Sequence, residues 1–397
     1  MISKAAVPAL MWCVFAITTG EFVIAGILPD VARDLAVSVP AAGLLVTAYA
    51  IGMIAGGPVL TALTARYPRK PLILVLLGIA AAGNLASALA PAYPVLFAAR
   101  VVTALVTSTF FANAVVIAVS AAAPGRQAST VSRLVLGMNL AMILGAPIGT
   151  FLGAGQGWRA PFLAIAACCA IGLLLVGRLV PDVREATPAT SAVAELRVFR
   201  RGDVLLAIAV TAVANAGLLM VFTFFAPLVT EVTGFAAGAV AVLLLVYGVG
   251  AVAGNVAGGR LADRAPMRSQ LGLLAALAAA LPATWALSGS PAATAVMVFV
   301  LGALGFSVIP GMQARVLSSA AAAPTLAMAV NASAYQLAAA FAAWLGGRVI
   351  DGGLGLRALY LVAAAVTVAG IGVSAYAWTR DRARTTEPAT PLQEGSK

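Results

Sequence analysis

The chain has 397 residues, of which 62% are hydrophobic and 9% are charged, and its formal net charge is +11. A soluble domain carries about 25% charged residues, so this composition and the mean hydropathy of +1.04 exclude an ordinary soluble protein. The basic residues are spread over short segments between apolar stretches, a pattern that predicts a membrane protein and argues against a nucleic-acid partner.

Twelve apolar stretches are long enough to cross a membrane, because a transmembrane helix needs roughly 20 apolar residues. Since eleven more spans follow the first, we interpret that one as a retained span and not a signal peptide. The predicted spans, numbered one to twelve in chain order, lie at about 8–28, 41–63, 71–90, 95–118, 134–153, 160–178, 204–228, 238–259, 270–288, 292–314, 326–348 and 358–379.

The distribution of basic residues predicts the orientation of these spans. With the N-terminus inside, 19 of the 24 Lys and Arg residues lie on the inner side, and the outer loops carry only Arg33, Arg159, Arg348 and Arg357. Loops that remain in the cytoplasm are enriched in Lys and Arg. We therefore expect both termini to be cytoplasmic.

Glu21 is the ionisable residue of span one, since no other Asp, Glu, Lys or Arg occurs between Pro8 and Leu28. A carboxyl group in hydrocarbon is costly and by default marks a functional site. Burial favours its neutral form, and the chain contains no histidine. We predict that Glu21 takes up and releases a proton; the alternative is a fixed structural charge that never titrates.

Arg100 is the second charge inside the predicted spans. Glu21 lies eight residues before Pro29, and Arg100 lies six residues after Pro94, in antiparallel spans. At 1.5 Å per residue both are roughly 9–12 Å below the outer surface, so an ion pair between them is possible. A purely structural role for Arg100 is the alternative.

Span five carries small residues in a stripe that includes Gly145 and Gly149, with Pro147 between them. Small residues at this spacing let two helices approach closely, and a proline permits bending because it removes a backbone hydrogen bond. The stripe predicts either a gating helix or ordinary tight packing.

A polar stretch at 181–203 divides the chain into two halves that repeat. A shift of 198 positions aligns Tyr49 with Tyr247, and Gly52 and Gly56 with Gly250 and Gly254. Parallel repeats of this kind indicate a secondary transporter whose binding site lies between the halves. We predict an all-α membrane protein with twelve helices in two pseudo-symmetric six-helix bundles, 1–180 and 204–380, joined by a cytoplasmic linker and followed by a disordered tail, 381–397.

Polar and aromatic residues at helical spacing in spans four, five, seven and eleven predict the surface of a binding cavity. For each amide, a hydrogen bond between helices is the alternative to ligand contact. The candidate substrate contacts are Thr103, Thr107, Phe110, Asn113, Asn139, Asn215, Phe222, Phe225, Asn331 and Tyr335. Such an aromatic pocket with few charges suits a neutral or weakly polar organic molecule.

The loops after spans two and eight resemble the signature loop of the major facilitator superfamily, Gly-x-Leu-x-Asp-Arg-x-Gly-Arg-Lys. The second copy keeps Gly259, Leu261, Asp263 and Arg264, whereas the first has Thr61, Ala65 and Pro68 at three of the motif positions. The resemblance implies a gating role for Asp263 and Arg264, and for Arg66 of the first copy. A basic loop that only sets topology is the alternative.

Span one and its exit, residues 19–35, are similar to the twelve-span drug:proton antiporter branch, nearest to actinobacterial chloramphenicol exporters and sugar-efflux proteins. Span five resembles the antiporter motif of the drug-exporting branches, which implies a gating role for Gly145 and Pro147. The family fold places spans one and four side by side at the cavity, and Arg100 lies where the superfamily often has an arginine.

These features predict a proton-coupled exporter of small amphiphilic molecules or antibiotics, working by alternating access. We expect a monomer in the bacterial cytoplasmic membrane that needs no cofactor other than the proton, with no metal site and no enzymatic activity, since no cluster of nucleophile, base or metal ligands is visible. Two alternatives remain, a sugar or nucleoside exporter of the same fold and an uncoupled facilitator.

Overall fold

The computed structural model describes residues 5–64, 67–120, 127–181, 202–319 and 324–386, and every regular element within them is helical. The first half comprises Ala6–Phe22 and Ile24–Asp34 (span one), Val39–Thr64 (two), Arg69–Ala88 (three), Tyr93–Ser120 (four), Gln127–Leu140, the π-helical turn Ala141–Gly145 and Ala146–Gln156 (five), and Arg159–Leu179 (six).

The second half has the same order of spans. It comprises Gly202–Thr223, Phe225–Pro227 and the π-helical turn Leu228–Val232 (seven), Ala239–Arg264 (eight), Pro266–Leu287 (nine), Pro291–Ser307 and Ile309–Ser319 (ten), Pro324–Val349 and the π-helical turn Ile350–Leu354 (eleven), and the 3-10 turn Leu356–Ala358 with Leu359–Thr386 (twelve).

Within these residues ten helices are long and apolar enough to cross a membrane, and the two helices of span one form a further span bent by 49°. The remaining predicted span is the helix Pro324–Val349, which contains the polar residues Asn331, Ser333, Tyr335 and Gln336. The prediction of an all-helical membrane protein with twelve spans is confirmed.

Spans five, seven and ten are broken where proline removes a backbone hydrogen bond. Their breaks lie shortly before Pro147, Pro227 and Pro310, whereas the break in span one, at Val23, precedes the Ala25 carbonyl that Pro29 leaves without a donor. Proline has no N–H to donate to the carbonyl four residues earlier, so the turn before each proline is free to bend or to widen into a π-helical turn.

The predicted linker lies almost entirely outside the described residues, because 182–201 are not described. At the other end, span twelve continues to Thr386, so the boundary predicted at 380 falls within a helix. Backbone hydrogen bonds can continue a helix beyond the apolar part of its sequence. Residues 387–397 lie outside the described residues.

The same span pairs pack in both halves, which confirms that the sequence repeat is a structural repeat. Spans two and four pack as spans eight and ten do, three and six as nine and twelve, and one and five as seven and eleven. The closest approaches repeat as well. A Cβ atom at Gly56 would overlap the carbonyl oxygen of Leu105, and one at Gly254 would overlap that of Ala303, 198 positions later.

In each bundle, an arginine links two spans at one end of the molecule, which we call the Asp34 end. Arg159 Nη2 donates to the Ala90 carbonyl oxygen over 3.1 Å, and Arg357 Nη2 donates to that of Trp285 over 2.8 Å. These arginines are also 198 positions apart. Arg159 forms a second link there, a salt bridge to Asp34 of span one.

The two bundles contact each other between the membrane centre and the Asp34 end. Span one meets span seven through its second helix, Ile24–Asp34, and span five meets span eight through residues 141–156. Closer to the Asp34 end, a Cβ atom at Gly43 would lie 2.9 Å from the Phe224 ring, and one at Gly347 would lie 3.3 Å from Pro40. These contacts describe a conformation that is closed at the Asp34 end.

The close helix packing leads to a prediction for four glycines. Gly56→Leu and Gly254→Leu must each separate a helix pair, and we expect both to lower the midpoint of thermal unfolding in detergent, with each change costing about 1–3 kcal/mol. Gly78→Leu and Gly272→Leu are matched controls, because a Cβ atom there has no neighbour within 4 Å. Equal midpoints for all four variants would contradict the repeated close packing.

Candidate functional site

Glu21 lies at the break in span one, in the last turn of the helix Ala6–Phe22. The next helix begins at Ile24 and is bent away by 49°. Thr19 Oγ1 donates to the Phe15 carbonyl oxygen over 2.8 Å in the turn before Glu21, a bond that often accompanies bending of a helix. The bend directs the region around Glu21 toward the junction of the two bundles.

The glycine stripe of span five holds span one in this position. A Cβ atom at Gly145 would overlap the Thr19 side chain, and one at Gly149 would overlap Val23. Because Pro147 cannot donate to the carbonyl of Ile143, the helix widens into the π-helical turn Ala141–Gly145 at the same level. The close approach predicted from the stripe is confirmed, and gating by Gly145 and Pro147 stays a prediction.

The Glu21 carboxylate contacts the opposite bundle. Its Oε1 accepts a hydrogen bond from Gln336 Nε2 of span eleven over 2.8 Å. Glu21 is partly buried, and together with Tyr49 of span two and Gln336 it lines a cavity between the halves. The group predicted to carry a proton therefore lies at the interface of the bundles and beside a cavity.

Arg100 lies in a different enclosure, although it bonds to the residue that precedes Glu21. Its side chain is 1% exposed, and Nη1 donates to the carbonyl oxygen of Gly20. The guanidinium carbon lies 4.4 Å above the Tyr49 ring centroid and 5.9 Å from that of Phe162. The Nε and Nη2 atoms are buried with no hydrogen-bond partner.

The ion pair considered for Glu21 and Arg100 is not formed in this conformation, since the salt bridges within the described residues do not include it. The physical reason is the direction of neighbouring helix positions. Arg100 approaches the backbone at Gly20, whereas the next residue, Glu21, extends its side chain toward Gln336. Similar depth in the membrane did not determine which groups would meet.

Two adjoining cavities lie between the bundles and share Phe22, Leu219, Phe222 and Tyr335 as lining residues. One of them extends past Glu21. The other extends into the second half and is lined in addition by Met142, Asn215, Leu218, Tyr247, Gly305, Phe306 and Ile309.

Aromatic rings dominate the shared boundary. The Phe22 and Phe222 ring centroids are 6.0 Å apart in an edge-to-face arrangement, and Phe222 lies 5.3 Å from Tyr247. Tyr247 in turn contacts Phe306 and Phe225, each at 6.2 Å. Edge-to-face and tilted contacts are the favoured geometry of aromatic pairs, so the two halves meet in one aromatic cluster.

Three of the predicted substrate contacts line these cavities, namely Asn215, Phe222 and Tyr335. Phe225 is buried behind them against Tyr247. Asn331 does not line the cavities. It accepts a hydrogen bond from Thr211 Oγ1 over 2.8 Å, which is the bond between helices that the sequence analysis gave as the alternative to ligand contact.

The predicted contacts in spans four and five do not reach the cavities. Thr107 shares a hydrogen bond of 3.0 Å with the Tyr49 hydroxyl group, and Asn113 accepts one from Arg69. Thr103 packs against Gly83 of span three. Phe110 is in the core, and Asn139 is exposed. The polar residues of span four do share one face of the helix, but that face packs against spans two and three. Helical periodicity predicts which residues share a face and does not predict what that face contacts.

The residues predicted for gating are only partly described. Arg66 lies outside the described residues. Asp263 and Arg264 are exposed in the last turn of span eight, where a cation is favoured by the helix dipole. Their role in gating stays a prediction.

The sequence argument missed Gln336, Phe22, Tyr247 and Phe306. A signal was available for two of them. Gln336 is an amide in a predicted span next to the selected Tyr335, and Tyr247 was already matched with Tyr49 by the repeat. Phe22 and Phe306 resemble any other apolar residue of a span, and only the packing identifies them.

Comparison with known proteins assigns the family. Residues 10–325 match the model of the Major Facilitator Superfamily. The uncharacterized MFS-type transporter YfhI of Bacillus subtilis is 35% identical over 93% of this chain and 92% of its own length. A chloramphenicol resistance protein of Streptomyces lividans is 37% identical over 82% and 84%, and the inner membrane transport protein YdhP of Escherichia coli K12 is 36% identical over 86% and 87%.

Solved structures share the fold at low sequence identity. A D-xylose-proton symporter superposes with a TM-score of 0.74 at 16% identity, covering 94% of this chain and 97% of its own. A bacterial homologue of the lysosomal transporter Spinster, in an inward-facing and occupied conformation, gives 0.73 at 17%, covering 97% and 98%. With twelve spans, a structural repeat and close relatives along most of its length, this chain belongs to the Major Facilitator Superfamily and is a multi-pass membrane protein of a transporter family.

Proposed function

We propose that this protein exports small amphiphilic molecules or antibiotics, resembling chloramphenicol in size and polarity, in exchange for protons. The observation that carries the proposal is the position of Glu21. Its carboxylate lines a cavity between the two bundles, next to an aromatic cluster contributed by both halves. A titratable group and an apolar binding surface at one place allow proton binding and substrate binding to affect each other.

The proposed orientation places the Asp34 end outside, because 19 of the 24 basic residues then lie on the cytoplasmic side. The structure is closed at that end and corresponds to the state in which substrate enters from the cytoplasm. Reopening of the Asp34 end releases the substrate outside, and Glu21 takes up a proton there. The proton is then released inside, and no other cofactor is required.

The driving force is sufficient for this exchange. A proton that crosses a potential of ~150 mV releases about 3.5 kcal/mol. Tenfold accumulation of a neutral substrate requires about 1.36 kcal/mol, so one proton per substrate molecule supports more than a hundredfold gradient.

Chemistry of the cavities favours an amphiphile over a sugar. The lining is largely aromatic and aliphatic, with Glu21, Asn215 and Gln336 among its few strongly polar groups. A sugar needs many hydrogen-bond partners when it leaves water. The similarity to a chloramphenicol resistance protein at 37% identity also supports export of an antibiotic-like molecule.

A sugar or nucleoside exporter is the second candidate, since a probable sugar efflux transporter of Mannheimia succiniciproducens is 29% identical over 86% of this chain. Expression in an efflux-deficient bacterium, with a panel of antibiotics, separates the two. Amphiphilic antibiotics lose potency if the first candidate is right. Competition by sugars and not by antibiotics for transport into inverted vesicles would establish the second.

The first prediction concerns the proton. Glu21→Gln keeps the size and hydrogen-bonding capacity of the side chain but removes its titration, so proton-driven uptake into inverted vesicles should be lost while substrate exchange across the membrane persists. Glu231→Gln, at an exposed glutamate of the π-helical turn that ends span seven, is the matched control. Intact gradient-driven transport by Glu21→Gln would refute the role of Glu21, and a native protein indifferent to the pH gradient would be a facilitator.

The second prediction concerns the substrate. Phe222→Ala removes a ring that contacts both Phe22 and Tyr247, and we expect the apparent KM for an aromatic substrate to rise about tenfold, as a loss of about 1.4 kcal/mol implies. Phe341→Ala is the control, because Phe341 is 43% exposed and packs against Trp344 away from the cavities. An unchanged KM in Phe222→Ala would show that the substrate binds elsewhere.

A further inference from the structure

Gln336 joins the proton-binding carboxylate of one bundle directly to the other bundle. Its Nε2 atom donates to Glu21 Oε1 over 2.8 Å, and the two residues are 315 positions apart in the chain. The Gln336 side chain is 6% exposed. The donor of this bond is therefore buried, whereas the carboxylate is partly exposed to the cavity between the bundles.

Several contacts between the bundles close the Asp34 end, and the bond between Gln336 and Glu21 is the one farther from that end. Thr47 Oγ1 of span two donates to the Ala340 carbonyl oxygen of span eleven over 3.3 Å, one turn closer to that end. Spans two and eleven pack along each other over this region. Separation of the bundles at the Asp34 end must therefore break the bond between Gln336 and Glu21.

Three other ionisable groups interact electrostatically with Glu21, namely Arg100 of span four, Tyr49 of span two and Tyr335 of span eleven. Arg100 is bound to the Gly20 carbonyl and lies over Tyr49. Arginine remains charged in proteins and tyrosine ordinarily titrates near pH 10. Between pH 5 and pH 8, a change of charge in this group therefore falls on Glu21.

We propose that Gln336 is a latch, a positioning residue that holds the Asp34 end closed while Glu21 is ionised and unoccupied. This inference rests on the proposed proton exchange. A hydrogen bond from an amide to a carboxylate is roughly twice as strong as one between neutral groups, so protonation of Glu21 weakens the link between the bundles. Release of the proton inside restores it.

The latch supplies a reason for coupling. The empty, deprotonated protein stays closed at the Asp34 end, and it opens there only when a substrate in the adjoining cavity displaces Gln336 or binds the carboxylate. Because Gln336 and Glu21 line the same cavity, a substrate can reach both. Opening of the empty, deprotonated protein at the Asp34 end is thereby suppressed.

Closure can be measured as a distance between the bundles. Ala92→Cys and Ala237→Cys place spin labels at exposed positions of the Asp34 end, one in each half, after Cys13, Cys168 and Cys169 have been changed to Ala. Electron–electron distance distributions are recorded in lipid nanodiscs at pH 8 and pH 5 without substrate. We expect the short distance to dominate at pH 8, and the ratio of closed to open molecules to fall about tenfold at pH 5.

Two variants separate the latch from a simple packing role. Gln336→Met keeps the length of the side chain but cannot donate, so the closed fraction at pH 8 should drop to the value at pH 5 and no longer respond to pH. Gln336→Glu should reverse the response, because two carboxylates repel at pH 8 and share a proton at pH 5. Gln270→Met is the control, since Gln270 is a buried amide that bonds to Ser374 within the second half.

A native pH response in Gln336→Met, or the native sign of that response in Gln336→Glu, overturns the proposal. So does an equal loss of closure in Gln270→Met, because loss of any buried amide would then suffice. The latch is also rejected if the distances in the native protein do not change with pH while Glu21→Gln abolishes proton-driven transport. In that case the proposal of proton exchange is retained. If Glu21→Gln instead transports normally, proton exchange through Glu21 fails, whatever the distances show.

Discussion

A carboxylate inside a membrane must find compensation in the protein, because hydrocarbon offers none. Glu21 obtains it from the opposite bundle, through the amide of Gln336. The other features of the site follow from this constraint. The break in span one presents the carboxylate to the interface, and the glycine stripe of span five brings a second helix close enough to hold the break in place.

The scaffold is symmetric, but its chemistry is not. The position equivalent to Glu21 in the second half is Leu219, and the position equivalent to Arg100 is Val298. Tyr49 and Tyr247 occupy equivalent, buried places, yet Tyr49 supports the Arg100 guanidinium and Tyr247 belongs to an aromatic cluster. The first half thus supplies the charges and the second half supplies most of the apolar binding surface, so a movement of one half against the other changes the contacts of both.

Much of the fold was predictable, because its causes are local in sequence. Apolar length identifies a span, and the shift of 198 positions identified a repeat whose glycines make equivalent close approaches, as at Gly56 and Gly254. The site was less predictable. Thr103 and Thr107 share a polar helix face, but that face packs on spans two and three. The amphipathic pattern of a buried helix does not show whether its polar face contacts another helix or a cavity.

The sequence by itself determined that this is a membrane protein of twelve spans in two repeated halves, with a carboxyl group buried in the first span. Hydropathy, charge asymmetry and repeated motifs are properties of short segments of the chain. They can therefore be identified without knowing how the segments pack. Only the tertiary structure decided that Glu21 bonds to Gln336 and not to Arg100, and that Phe22, Phe222 and Tyr247 meet in one cluster. Those contacts depend on how each helix is rotated about its axis and where it bends, and a rotation is set by packing against partners hundreds of positions away.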